Sequence, residues 1–183
     1  MPFLFNFDRS FSDRRYMKDH VLPALALSNV QRLLFVGCRE YTAHYGKKLT
    51  SVGIEYWTTD IDPVAATWGE KGRHIICDIA EIDNVCPAES FDAVLLNGVI
   101  GHGVDEESVI NRTVKAISRI LRPNGILLIG WNSQKKHRDP MELETVARYF
   151  RHGCVLSLPL PLRKTFPDTD HVYDWFIKTI SAD

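Results

Sequence analysis

The sequence predicts a three-layer α/β fold: a mostly parallel sheet, helices on both faces, and an antiparallel hairpin strand at the C-terminal end. Three observations predict it. From residue 30 onward, apolar runs suited to strands alternate with longer amphipathic stretches, the pattern of a sheet built from crossover units. The run RLLFVG (32–37) is apolar without alternation, as expected of a central parallel strand covered on both faces. The last two apolar runs, CVLSLPLP (154–161) and HVYDWFIKTI (171–180), are separated by roughly ten residues, too few for a crossover helix, so they must pair as a hairpin.

Each element has its own signal. SDRRYMKDHVLPALAL (12–27) reads as a helix with Ser12 as its cap and a kink or break at Pro23. RLLFVG forms the first strand, and Tyr41 to Val52 a helix after it. IEYWTTDID (54–62) is a second strand that stops at Pro63; RHIICDI (73–79) is a third. Ser90-Phe91-Asp92 leads into AVLLNGVI (93–100), the fourth. Between Glu106 and Leu121, Val109, Ile110, Val114, Ile117, Ile120 and Leu121 keep to one helical face, and Arg122-Pro123-Asn124-Gly125 ends the helix in a turn. GILLIGW (125–131) is the fifth strand, and a helix from about Pro140 to Phe150 precedes the hairpin.

With 183 residues, 45% of them hydrophobic and 25% charged, the chain can close one substantial core. A single domain spanning 1–183 is expected, with 1–29 as an N-terminal helical segment and 30–183 as the core. A formal net charge of -1, from 22 basic and 23 acidic residues, provides no global field for nucleic acid or anionic lipid. Lys47-Lys48 and Lys135-Lys136-His137-Arg138 are short local clusters, read as solvated surface. Cys38, Cys77, Cys86 and Cys154 are scattered, without the spacing of a zinc site or a disulfide framework, so no metal is expected and the thiols read as reduced. MPFLFNFDRS carries Asp8 and Arg9 within its apolar start, unlike a signal peptide, and no later stretch approaches a membrane span. A cytoplasmic location follows from this reading.

The order of motifs resembles the class I S-adenosylmethionine-dependent methyltransferases over about residues 30 to 180. The resemblance rests on LLFVGC at the first strand, TTDIDP at the second, CDI at the third, SFDAVLLNGVIGH at the fourth, and ISRILRPNGILLIG into the fifth. It implies a Rossmann-like sheet of seven strands whose last strand inserts antiparallel. It also implies S-adenosylmethionine as cofactor and S-adenosylhomocysteine as product.

The resemblance places the cofactor at the carboxyl ends of the central strands, where the strand order reverses. Gly37 leaves room for close approach, with Cys38 beside it. The family's acid and further glycines are replaced here by Phe35, Arg39 and Tyr41. S-adenosylmethionine has no pyrophosphate to wrap, so side chains are tolerable in this loop. The absence of GxGxxG argues harder against NAD. Asp60, 23 positions after Gly37, would accept hydrogen bonds from both ribose hydroxyls. Asp62 competes with it, its alternative role being a cap for the helix beginning at Pro63. Ile61 would pack on the adenine; Asp78, with Ile79 beside it, would accept from the adenine amino group or else serve as a cap. Asn97 and Gly98 match the region that holds the methionine ammonium.

LLNGVIGHG lacks the Asp/Asn-Pro-Pro-aromatic signature of base N-methylation, and Cys86-Pro87 reverses the order used for attack on cytosine C5. No nucleic-acid substrate is therefore expected. Methyl transfer from a sulfonium is an in-line displacement in which the protein aligns the acceptor and removes its proton where needed. His102, between two glycines after the fourth strand, is the favoured base, since an imidazole with a pKa near 6.5 accepts a proton at neutral pH. Trp131, Asn132, His171 and Tyr173 would border the acceptor. Arg14, Arg15 and Tyr16 are candidates for a lid. The core consumes the chain, so the expected partner is a small-molecule acceptor with a hydroxyl, carboxyl or amine, and a homodimer is compatible with this. A non-catalytic, methyltransferase-like binding module is the alternative, supported by Arg39-Glu40-Tyr41.

Overall fold

The computed structural model describes residues 11–136 and 138–179. The Phe-rich start, His137 of the basic cluster and Ile180, the last residue of the final apolar run, lie outside the described residues.

Helix α1 (Ser12–Tyr16) runs without a break through a π-helical turn, Met17–Val21, into α2 (Leu22–Ala26). Proline has no N–H to give and its ring crowds the carbonyl four residues back; widening the helix just before Pro23 accommodates both. The expected interruption is thus a local widening of the helix. Ser12 is not the cap: Phe11 holds that position, and Ser12 instead gives its backbone N–H and hydroxyl to Asp168, 156 residues away.

Five strands run parallel: β1 (Arg32–Val36), β2 (Glu55–Asp60), β3 (His74–Ile76), β4 (Phe91–Ile100) and β5 (Leu121–Asn132). Strand β5 begins earlier than expected. Leu121 already pairs with Phe91, and Arg122-Pro123-Asn124-Gly125 bulges out before Ile126 pairs with Ala93, Asn124 taking a φ of 62°. The chain then forms β6 (Phe150–His152), β7 (Arg163–Thr165) and β8 (His171–Lys178). The sheet order is β3-β2-β1-β4-β5-β8-β6, with β7 also on β8, and β8 is antiparallel to β5, β6 and β7.

The fold is therefore the expected mixed α/β sheet with antiparallel strands at its C-terminal end, but with eight strands where seven were expected. CVLSLPLP is not one of them. Pro159 and Pro161 cannot donate to a ladder, and the run crosses the sheet face as irregular chain, packing Cys154, Leu156 and Leu160 on the core.

Side-chain alternation along the strands builds two cores. Leu34, Val36, Val94, Leu96, Leu127 and Ile129 face α4 (Glu107–Ile120), whose Ile110, Val114 and Ile117 are buried, and α5 (Glu144–Tyr149). Leu33, Phe35, Leu95 and Leu128 face the other way, with Met17, Val21 and Leu25 of the N-terminal helix and Leu49 of α3 (Tyr45–Thr50). The first three connections are completed by 3-10 helices: Glu40–Thr42 before α3, Pro63–Trp68 after β2 and Ile79–Asn84 after β3. Strand order reverses between β1 and β4, and there the carboxyl ends of the strands open onto a cleft of about 960 Å³.

Candidate active site

The cleft begins at Gly37. Its φ is +89°, and a Cβ there would stand 2.9 Å from the carbonyl oxygen of Asn97, so both the turn and the approach of β1 to β4 require glycine. Cys38 gives its backbone N–H to Asp60 Oδ2 at 2.9 Å. Its side chain is buried away from the cleft, and burial, with the Asp60 charge adding, pushes the thiol up to about 12. Cys38 thus contributes backbone alone.

Asp60 ends β2 with its carboxylate almost fully buried and richly bonded. Oδ2 accepts from Cys38 N and, at 3.0 Å, from the Arg39 guanidinium; Oδ1 accepts from Asp62 N at 2.9 Å. Ile61 lies open on the cleft floor, 66% exposed. Asp62 caps the following 3-10 helix by accepting from Val64 N, and Asp78 caps the next by accepting from Ala80 N, each at 2.9 Å. Asp78 also lines the cleft, with the buried Ile79 beside it.

At the end of β4, Gly98 takes a φ of +65° and the chain turns back so that His102 N donates to Val99 O at 3.0 Å. This tight turn carries His102 to the cleft beside Asn97 and Gly98. Across from it, His171 opens β8, 8% exposed, with Nε2 3.1 Å from Asn97 Oδ1 and Nδ1 3.4 Å from Asn132 Oδ1. Asn132 in turn donates to Asp170 at 2.6 Å. Burial lowers the His171 pKa to about 4, overriding the nearby Asp170, and the imidazole is neutral.

The structure brings Gly37, Arg39, Tyr41, Asp60, Ile61, Asp78, Ile79, Asn97, Gly98, His102, Asn132 and His171 to one cleft. It does not bring Trp131 and Tyr173 there. Strand pleating turns Trp131 into the core beneath α5, where its Nε1 donates to the buried Asp174 at 2.8 Å. Tyr173 points to the opposite face, 1% exposed, with its hydroxyl on Asp13 O at 3.4 Å. Both are packing residues.

Of the lid candidates, Arg14 reaches the cleft, its guanidinium 3.9 Å from the centroid of the Tyr41 ring. Arg15 is exposed, and Tyr16 packs on Phe166 and Tyr173. Sequence reasoning missed Asp13, Gln134 and the segment Pro167 to Asp170, which complete the wall. The available signal was the direction of β8: antiparallel to β5, it starts where β5 ends, so the loop before it must overhang the same cleft.

The residues fit an adenosyl cofactor. A carboxylate stands at the tip of β2, exposed Ile61 and buried Ile79 offer apolar surface, and Gly37 keeps the backbone low between β1 and β4. Arg39 is the one group standing on Asp60 that can move aside.

Comparisons with known proteins show the family. Residues 34–129, more than half of the chain, match the family described as "Methyltransferase domain". Among solved structures, the N-methyltransferase NodS from Bradyrhizobium japonicum WM9 is 16% identical, with a TM-score of 0.64 over 92% of this chain and 98% of that one. A TehB-like S-adenosylmethionine-dependent methyltransferase from Corynebacterium glutamicum is 18% identical, with a TM-score of 0.66 over 92% and 88%. The 1,6-didemethyltoxoflavin-N1-methyltransferase of Burkholderia thailandensis is 18% identical, with a TM-score of 0.61 over 93% and 84%. No curated protein sequence matches the chain significantly. The chain belongs to the class I S-adenosylmethionine-dependent methyltransferases and is an enzyme of that family.

Proposed function

We propose that the enzyme transfers a methyl group from S-adenosylmethionine to a small-molecule acceptor bearing a hydroxyl, carboxyl or amine. The observation that carries this reading is the shared cleft. One half has the residue types that hold an adenosyl group, and the other half is closed over by the N-terminal helix and the loop before β8. A cleft of about 960 Å³ lies at the upper end of ordinary ligand pockets, large enough for a cofactor together with a compact second molecule. The solved structures of NodS and of the toxoflavin enzyme with S-adenosylhomocysteine support the choice of cofactor.

In this reading Asp60 holds the ribose, Ile61 and Ile79 flank the adenine, and Asp78 takes its amino group. Asn97 and Gly98 border the methionine end. The cofactor supplies an electrophilic methyl on a sulfonium. His102 stands at the acceptor end as the base, and the overhanging loop excludes water. The acceptor is a free small molecule in the cytoplasm rather than a nucleic acid, and a homodimer is compatible with this reading.

Calorimetric titration with S-adenosylhomocysteine, S-adenosylmethionine and NAD in parallel tests the assignment. The two adenosyl ligands bind and NAD does not. A ligand specific to the folded state at a hundred times its dissociation constant adds about 2.7 kcal/mol of stability, a readily measured shift in thermal unfolding. Binding of NAD alone, or of none of the three, would end the assignment.

A further inference from the structure

Two independent features of the acceptor end narrow the acceptor's chemistry, given the methyltransferase reading above. The first is the hydrogen-bond chain through His171. Asn132 cannot turn its amide, because its Nδ2 donates to Asp170 Oδ1 at 2.6 Å; its Oδ1 therefore faces His171 Nδ1 at 3.4 Å. A neutral imidazole has one N–H. If that proton sits on Nε2, donating to Asn97 Oδ1 at 3.1 Å, then Nδ1 and Asn132 Oδ1 confront each other lone pair to lone pair. A half turn of the Asn97 amide exchanges oxygen for nitrogen in the same space and removes the conflict. Asn97 then donates to Nε2, Nδ1–H to Asn132, and Asn132 to the Asp170 carboxylate. In this arrangement every member is satisfied, and the amide oxygen of Asn97, a residue more than nine-tenths buried on the cleft wall, is left facing the cavity as an acceptor.

The second feature is charge. Asp13 from α1 and Asp168 and Asp170 from the loop before β8 all line this end. Asp13 Oδ1 is shut off from water and has no partner. Of the cations near them, Arg39 lies on Asp60, Arg14 stacks on Tyr41 while also acting on Asp13, and the exposed Arg15, outside the cleft, acts on Asp168. Among the described residues no lysine lines the cleft, and burial keeps His171 neutral. At this end a bound carboxylate or alkoxide would face three carboxylates and, of the two guanidiniums that line the cleft, the one not paired with Asp60, Arg14; an ammonium would find its counter-charge.

We propose that the acceptor is an amine, drawn in as its ammonium by Asp13, Asp168 and Asp170 and held at its nitrogen by N–H donation to the side-chain oxygen of Asn97. His171, Asn132 and Asp170 act as positioning residues that turn the Asn97 amide. The ammonium gives one proton to His102. The freed lone pair forms the N–CH3 bond as the donor's C–S bond breaks and its electrons remain on sulfur. The products are the methylated ammonium and S-adenosylhomocysteine, with the proton passing from His102 to solvent.

The test uses the whole chain saturated with S-adenosylhomocysteine and two matched fragment sets read by saturation-transfer NMR: n-butylamine, n-butanol and butyrate; benzylamine, benzyl alcohol and benzoate. The amine of each set binds at least tenfold more tightly than its partners, and Asp13→Asn lowers amine affinity at least threefold while thermal unfolding confirms a folded variant. Equal binding across a set, preference for the alcohol or acid, or no amine binding overturns the proposal. In that case retained S-adenosylhomocysteine binding leaves the methyltransferase reading standing, whereas its loss sinks that reading instead. A second measurement needs no variant: long-range 15N–1H spectra of the 15N-histidine protein show His171 neutral with the proton on Nδ1. A proton on Nε2 refutes the amide orientation.

Discussion

Replacing Arg39 with alanine should tighten S-adenosylhomocysteine binding, the reverse of the usual effect of deleting a side chain from a binding site. A carboxylate offers about four lone-pair positions. Three of those on Asp60 are occupied, by the N–H groups of Cys38 and Asp62 and by the Arg39 guanidinium. Two ribose hydroxyls therefore need one donor to leave, and the two backbone N–H groups are fixed by the loop and by the start of the 3-10 helix. Arg39 is the side chain that can go, being 52% exposed against 6% for Asp60. An ion pair with one such solvated partner is worth about 0.2–1 kcal/mol, less than the roughly 1.5–3 kcal/mol gained by hydrogen bonds to an ionised carboxylate. Ligand binding should thus displace Arg39, and Arg39→Ala should spare that displacement, tightening binding by about 1.5- to 5-fold. Calorimetry on both proteins at low and high salt measures it, and the gap should narrow as salt screens the pair. Weaker binding by the variant would show that Arg39 holds the ligand, and the reasoning would fail.

Asp60→Ala should weaken the same ligand by about 1.5–3 kcal/mol, read by the same titration, since it removes the charged acceptor outright. His102→Gln should lower turnover roughly a hundredfold while leaving S-adenosylhomocysteine affinity unchanged; stopped-time product assays and calorimetry together separate the two effects. His171 carries a pH dependence of stability. The unfolded chain takes up its proton near pH 6.5 and the folded one only near about 4, so the unfolded state binds more protons between these values. Stability should fall as pH drops through that window, by about 3 kcal/mol in all, and urea midpoints of wild type and His171→Gln should diverge there. Asp174→Ala should destabilise the fold by about 3 kcal/mol in urea unfolding, because the fully buried carboxylate accepts from both Trp131 and Arg163 and its loss breaks a buried ion pair.

Much of the half of the cleft proposed to hold the cofactor was legible in the sequence because it depends on local chain geometry. A glycine ending an unbroken apolar run, and an acid 23 positions later at the end of the next, place Gly37 and Asp60 at adjacent strand tips once the sheet is parallel. The half proposed to take the acceptor was not legible in the same way. Asp13, Asp168 and Asp170 come from segments with no motif, and they meet only because β8 runs antiparallel to β5 and brings its preceding loop back over the cleft. Apolar content also misled where it signalled burial without pairing, as in CVLSLPLP. Proximity to a strand end misled at Trp131 and Tyr173, whose pleat directions point into the two cores.

Arg39 shows where sequence reasoning stops. Read as a letter in a loop, it counts as a lost glycine and so as support for a cofactor site gone silent. In three dimensions its guanidinium reaches across to the carboxylate at the tip of β2 and also donates to the carbonyl of Cys38 at 2.6 Å, while the backbone beneath it still supplies the Cys38 N–H. The backbone turn that a glycine-rich loop would provide is present at Gly37, and what Arg39 adds is a half-exposed charge standing on the acid proposed to hold the ribose. Loss of the proposed cofactor site would require the turn at Gly37 or the acid at the tip of β2 to be missing, and both are present. Competition between a side chain and a ligand for one carboxylate sets affinity, and its sign is read from which of the donors is free to move.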